Sequence, residues 1–232
     1  MTYKLTRSKR KTISLQVCDG ILEVRAPLRI PVYAIEEFIA SKENWILKHI
    51  ERTGQQAVNR DGFSLNYGDT ISFLNTPYII TPADENDSRF RSYKTGMFGY
   101  NNELYLRPGL TPEKIKKACI ETYRTTADTL LIPRTMELAK KIPVSPNNIK
   151  INSAKSRWGS CSFDKNITFS WRLLMADENT VDYVIFHELA HLIEMNHSDR
   201  FWAIVERYVP DYKLRKKQLK TLQAKLSNEN WD

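Results

Sequence analysis

Cysteine is scarce in this chain of 232 residues: Cys18, Cys119 and Cys161 are far apart and odd in number. That argues against a disulfide framework and for a reducing compartment, and the lack of any CxxC spacing argues against a cysteine-built zinc site. Long apolar runs are missing too. The longest, such as VDYVIF, are broken by charge and fall well short of the roughly 20 residues that cross a bilayer, so no membrane partner is expected. The opening stretch MTYKLTRSKRKTISL is basic with no apolar segment after it, and it does not read as a signal peptide. The expected location is cytoplasmic. Repeats and low-complexity tracts are absent. Histidine is the last shortage, with four in the whole chain, yet three of them fall between residues 187 and 197.

What is present is an ordinary apolar content of 41%, enough to fill the core of one large domain or two small ones. The formal net charge is +8, with clusters at RSKRK (7–11) and KLRKKQLK (213–220). A basic surface favours anionic partners, nucleic acid or nucleic-acid-associated substrates included. The plainer reading of each cluster is a solvated helix face or a basic arm.

The pattern along the chain is that of an α+β protein. TISLQVCDGILEVRAP reads as two short strands around an Asp19-Gly20 turn. Residues 35–52 have helical spacing, and Gly54 follows as a stop. From Phe63 to Leu106 strands return in FSLNYGDTISFL, PYIITP, RFRSY and ELYLRP. Residues 1–108 therefore form a small mixed β-sheet region with one helix. Residues 109–232 form a helical domain with a short antiparallel sheet. Thr111 caps a helix with Pro112 at its first position, running to Lys141 with a kink at Pro133. IKINSAKSRWGSCS (149–162) is a strand leading into a Gly-Ser turn, and NITFSWRLLM (166–175) is a half-buried strand. A helix then runs from Asp177, its cap, to Met195.

On that helix the spacing His-Glu-x-x-His puts His187 and His191 on one face, with Glu188 beside it. Two imidazoles are thus offered to a zinc ion and one carboxylate to a water on it. Val181, Ile185, Leu189 and Leu192 line a different face, so the histidines are not needed for packing. A catalytic zinc wants three protein ligands and an open fourth position. His197 is the third ligand, provided the helix ends and the chain folds back, which a left-handed Asn196 allows. Ser198 then caps the next helix, DRFWAIVERYV. Glu194 is a conceivable fourth ligand. A glycine makes this turn in metzincin peptidases with the same histidine spacing, and Glu194 stands there instead.

AKSRWGSCS (154–162), WRLLMA (171–176) and HELAHLIEMNHSDRFW (187–202), with RSKRKTISLQV, VRAPLRIP and WILKHI nearer the start, resemble the YgjP-like family of zincin-type metallopeptidases. The core is also similar to SprT-like zinc proteases. The resemblance covers nearly the whole chain and is most specific in its last third. It implies a zincin-like domain with an HExxH active-site helix. Zinc would be bound by His187, His191 and His197, with Glu188 as catalytic base and an edge strand and substrate groove beside the helix. Two departures from the family pattern touch no ligand. Relatives usually place a glycine within Asp164-Lys165-Asn166, and Ser170 stands where asparagine is expected.

Arg157 and Arg172 have two readings, as anion or carbonyl contacts at the groove or as parts of a structural turn. In that turn Gly159 would be conformational, Trp158 and Trp171 would fill the core, and Cys161 would be a small buried hydrophobe. Tyr208 and Tyr212 are further candidate electrophiles, and His49 is an ordinary helix residue. The expected function is hydrolysis of peptide bonds in extended or unfolded substrates, with strand NITFSWRLL pairing to the peptide. A metal-dependent phosphohydrolase using Arg157, Arg172 and Lys155 is one alternative. A nucleic-acid-binding protein with a structural zinc is another.

Overall fold

A computed structural model of the chain describes residues 1–83, 96–99 and 101–232. The chain divides into two compact units. The first comprises Met1–Phe63 with Lys225–Asn230 and Asp232, and the second comprises Ser64–Ala224 with Trp231.

The first unit is built on three strands, β1 (Tyr3–Ser8), β2 (Ser14–Cys18) and β3 (Ile21–Pro27), in the order β1-β3-β2. β2 and β3 form the expected hairpin, and its turn takes Asp19 and Gly20 both into the left-handed region, with φ of 50° and 76°. That pair of dihedrals matches the right-handed twist of the flanking strands. β1 pairs with β3 in parallel and was not expected as a strand. Leu22, Val24 and Ala26 alternate along β3 onto one face, where they meet Ile35, Ile39 and Ile46.

The single helix expected over 35–52 is two helices, α1 (Val32–Ala40) and α2 (Glu43–Asp61). Nor does Gly54 stop a helix, because α2 runs through it. A β-carbon on Gly20 would lie 3.2 Å from the Gly54 Cα, so Gly54 lets the hairpin turn pack against the α2 backbone. The backbone N–H of Gly20 donates to Thr53 Oγ1 in the same contact, at 2.9 Å.

The second unit holds two sheets and the longest helix. β4 (Thr70–Phe73), β5 (Thr76–Pro82), β6 (Gly96–Phe98) and β7 (Glu103–Leu106) have the order β4-β5-β7-β6, with the β5–β7 pair parallel. The strand expected at RFRSY lies outside the described residues. α3 (Pro112–Ala139) continues through Pro133 and carries Tyr123, whose ring stacks on Trp171 with centroids 5.3 Å apart.

The other sheet comprises β8 (Asn148–Asn152), β9 (Gly159–Cys161) and β10 (Asn166–Ser170). It is mixed, not antiparallel: β10 lies at its centre, parallel to β8 and antiparallel to β9. The strand expected through Met175 stops at Ser170, whose hydroxyl accepts from the Arg172 N–H and starts a 3-10 helix, Trp171–Met175. All five of its residues are buried, so there is no polar face to keep a half-exposed strand going. In the β9–β10 turn Lys165 takes a φ of 57°, the conformation for which a glycine is favoured. The helices α4 (Glu178–Ala190), α5 (Asp199–Tyr208) and α6 (Tyr212–Leu226) follow. No described helix is long and apolar enough to cross a membrane.

Candidate metal centre

α4 starts where the sequence says it should. The Asp177 carboxylate accepts from the Thr180 N–H at 3.0 Å and from its hydroxyl at 2.7 Å, satisfying an amide that the first helical turn leaves open. Val181, Val184, Ile185 and Leu189 are buried and anchor the helix, leaving His187 and Glu188 at its last turn.

The helix ends at Ala190, five residues before the expected end at Met195. His191 terminates it, and tight bonds follow from Ile193 N–H to Ala190 O at 3.0 Å and from Glu194 N–H to the same carbonyl at 2.9 Å. Asn196 is not among the left-handed residues, so the reversal is made by the unwound stretch 191–197 and not by one special dihedral. Ser198 caps α5, accepting from Phe201 N–H at 3.3 Å.

This path brings His197 back to the helix. Its Nε2 lies 3.0 Å from Nε2 of His187, and one ring nitrogen from each of His187, His191 and His197 falls within 4.8 Å of the others. The His191 ring is oriented by a contact between Nδ1 and the Glu194 carbonyl at 3.2 Å, which leaves Nε2 for a ligand. The Glu194 carboxylate does not join the group, so three donors converge with no fourth among the described residues. Burial pushes the His187 imidazole down to about 3, with His191 next in effect. Burial also holds His191 below the ordinary imidazole value. Neutral imidazole is the metal-ligating form, so the triad is capable of coordinating a metal ion.

The floor of the site was not legible beforehand. Phe201, fully buried in the first turn of α5, packs its ring against all three imidazoles, with centroids 4.9, 4.5 and 4.7 Å away. Its neighbour Trp202 stacks on His197 at 5.7 Å and 23°. In the sequence both are simply members of the helix DRFWAIVERYV, and only the fold-back shows what they touch.

Glu188 is 4% exposed, and its Oε2 has no hydrogen-bond partner. Burial pushes its carboxyl up to about 8, with Arg157 pulling the other way. Gly159 decides where this carboxylate sits. A β-carbon there would stand 2.5 Å from Glu188 Oε1 and 2.7 Å from its Cγ, closer than atoms pack. Gly159 lies in β9 and has no positive φ, so its role is close approach and not turn conformation.

The two arginines part company. Arg157 is exposed, has no ion pair among the described residues, and stands two residues before Gly159. Arg172 is 5% exposed and does not open onto a groove. Its guanidinium donates to the Ser153 carbonyl at 2.8 Å and the Trp231 carbonyl at 3.1 Å, and lies 4.4 Å over the Trp171 ring. Ser170 Oγ donates to the next carbonyl, Ala154 O, at 2.8 Å, so the loop leading to Arg157 is pinned from beneath. Trp171 fills the core as expected, whereas Trp158 and Cys161 are only half-buried. Tyr208 is stacked on Phe186 and Tyr212 on Trp202. His49 stacks on Trp45, its neighbour in α2.

Strand pairing also needs correction. β10 has neighbours on both sides and cannot accept a peptide. β9 is an edge. Ser170 N–H donates to Trp158 O and Ser162 N–H to Asn166 O, so alternate residues Trp158, Ser160 and Ser162 turn their backbone groups towards β10. Those of Gly159 and Cys161 face outward.

The three converging imidazoles form a cluster capable of coordinating a metal ion, and the buried Glu188 follows His187 in the same helix. The chain belongs to the YgjP-like family: residues 11–222 match its metallopeptidase domain, which makes the protein an enzyme of the metallopeptidase class. Among solved structures, the crystal structure of the metallopeptidase zymogen of Pyrococcus abyssi abylysin is similar at 24% identity. The match covers 44% of this chain and 99% of that one, with a TM-score of 0.38. No curated protein matches the chain.

Proposed function

We propose that the protein is a zinc peptidase in which His187, His191 and His197 hold the metal and Glu188 is the general base. The carrying observation is the convergence of three imidazole nitrogens within 4.8 Å, together with a buried carboxylate oxygen that has no hydrogen-bond partner on Glu188, the residue that follows His187 in α4. Two nitrogens on one tetrahedral zinc stand roughly 3.3 Å apart, given bond lengths of about 2.0–2.1 Å. The 3.0 Å between His187 and His197 fits that spacing to within a few tenths.

Held by His187, His191 and His197, zinc would supply Lewis acidity to polarise a scissile carbonyl and acidify water. Glu188 then takes a proton from the attacking water and returns it to the leaving amine. Gly159 fixes the carboxylate, and the outward backbone groups of Gly159 and Cys161 hold an extended peptide alongside β9. Arg157 contacts the carbonyl or an anionic group of the substrate, while Arg172 supports the loop that carries it. All of these residues lie in 109–232, which we take as the zincin-like part with the HExxH helix at its centre. The three free cysteines support a cytoplasmic setting.

The test pairs metal-loaded wild type with Glu188→Gln on a casein-like unfolded protein and on nucleoside triphosphates. The variant should keep zinc and lose about 10²–10⁴-fold of the proteolysis. Zinc-dependent phosphate release without peptide fragments would replace this reading with the phosphohydrolase. Comparable proteolysis by the variant would remove Glu188 from the mechanism.

A further inference from the structure

α6 carries a charge pattern that its packing does not use. On a helix of 3.6 residues per turn, Lys213, Lys216, Lys217 and Lys220 fall within an arc of about 100°, along roughly 10 Å of axis. All four are exposed, and none forms an ion pair among the described residues. Arg215, on the opposite side of the helix, is taken by both Asp177 and Asp211. The helix thus neutralises its inward cation and leaves the outward four without counter-charge.

The stripe begins at the metal centre. Lys216 Nζ lies 4.9 Å over the Trp202 ring, and Trp202 stacks on His197 on one hand and on Tyr212 at 5.1 Å and 19° on the other. A second unpaired cation, Arg157, stands two residues before the glycine that touches Glu188. A substrate crossing the site therefore meets a cation both at the carboxylate end and at the histidine end.

We propose that α6 and Arg157 form a subsite for acidic side chains, making the preferred substrate an extended polypeptide rich in Asp and Glu. The proposal rests on the peptidase reading and names its substrate class. About three residues of extended chain, at roughly 3.4 Å each, span the length of the stripe, so the carboxylates of two alternate residues engage it at once. Nucleic acid fits less well. Single strands bind by stacking bases on bare aromatic faces, and the Trp202 ring already has Tyr212, His197 and Lys216 against it.

The experiment measures binding, so it does not depend on turnover. Zinc-loaded protein carrying Glu188→Gln is titrated against a short labelled unstructured peptide rich in glutamate, against its glutamine counterpart, and against a single-stranded oligonucleotide of matched charge. The glutamate peptide should bind about tenfold tighter than the glutamine one at low salt, and the preference should fade towards about 1 M salt, where the Debye length is about 3 Å. Adding Lys213→Glu, Lys216→Glu and Lys220→Glu should abolish the preference. The control set Lys9→Glu, Lys11→Glu and Lys48→Glu changes net charge equally and should leave it intact. Equal loss in both sets would reduce the effect to net charge and overturn the proposal. So would an oligonucleotide that binds tighter and displaces the peptide, which would assign the stripe to nucleic acid. Casein cleavage by wild type without any glutamate preference sinks the subsite alone. A surviving preference without proteolysis sinks the peptidase reading alone.

Discussion

The interiors of the two units differ in kind. The first unit's core is apolar throughout, made of Leu22, Val24, Ala26, Ile35, Ile39 and Ile46. All seven buried polar or charged side chains of the described residues lie in the second: Thr122, Thr135, Ser170, Arg172, Thr180, Glu188 and His191. Burying such groups is costly unless they are hydrogen-bonded. Six are. Thr122 and Thr135 bond to carbonyls of their own helix, Thr180 to Asp177 and Gln218, and Ser170 and Arg172 to the 153–154 loop. His191 meets the Glu194 carbonyl. Glu188 has no such partner, and it stands next to the histidines.

Four substitutions probe that contrast. Ile46→Ala should have the largest effect on stability, about 2–5 kcal/mol for a fully buried side chain in an apolar core, read as a loss in thermal or denaturant unfolding. Metal content under native conditions should not change. Loss of zinc in this variant would show that the two interiors are not independent in function.

With Glu188 as the proposed base, Gly159→Ala should leave metal binding intact and lower kcat by on the order of a hundredfold, the scale of a displacement of about 1 Å at a catalytic group. The added carbon must push the Glu188 carboxylate aside. Full activity would mean that the carboxylate's seat is not set by this contact.

The smallest effects should separate one buried polar residue from another. Arg172→Met leaves the Ser153 and Trp231 carbonyls without their donor and should destabilise by about 1–3 kcal/mol. Thr135→Val removes a hydroxyl bonded only within its own helix and should cost less than about 1.5 kcal/mol. Equal costs measured by denaturant titration would break the distinction between long-range and local satisfaction.

Local signals were legible in the sequence. Asp177 caps α4, Asp19-Gly20 makes a hairpin, Pro112 opens α3, and the spacing of His187, His191 and His197 brings them together. What stayed hidden was non-local. The parallel pairing of β1 with β3 and of β8 with β10 leaves no turn signature, since parallel neighbours are joined by long connections. Gly54 and Gly159 both looked like breakers because a glycine's local meaning is a turn. Each instead admits a close neighbour that only the tertiary fold supplies. Arg172 and Arg157 are chemically identical in the sequence, and burial separates them. The alternation Ile167, Phe169, Trp171, Leu173 ran past the true end of β10 because a buried 3-10 turn keeps apolar residues without a strand's geometry.

The shortness of β9 has a kinetic consequence on the peptidase reading. Two outward residues offer at most four backbone hydrogen bonds, each contributing about 0.5–1.5 kcal/mol net. Their sum is comparable to the roughly 4 kcal/mol of a millimolar Kd. A polypeptide held there alone has a brief residence time, because weak complexes differ from strong ones mainly in how fast they dissociate. Such an enzyme is distributive: it makes one cut, lets go, and meets the next chain, and its product is a set of nicked polypeptides long before it is a pool of small fragments.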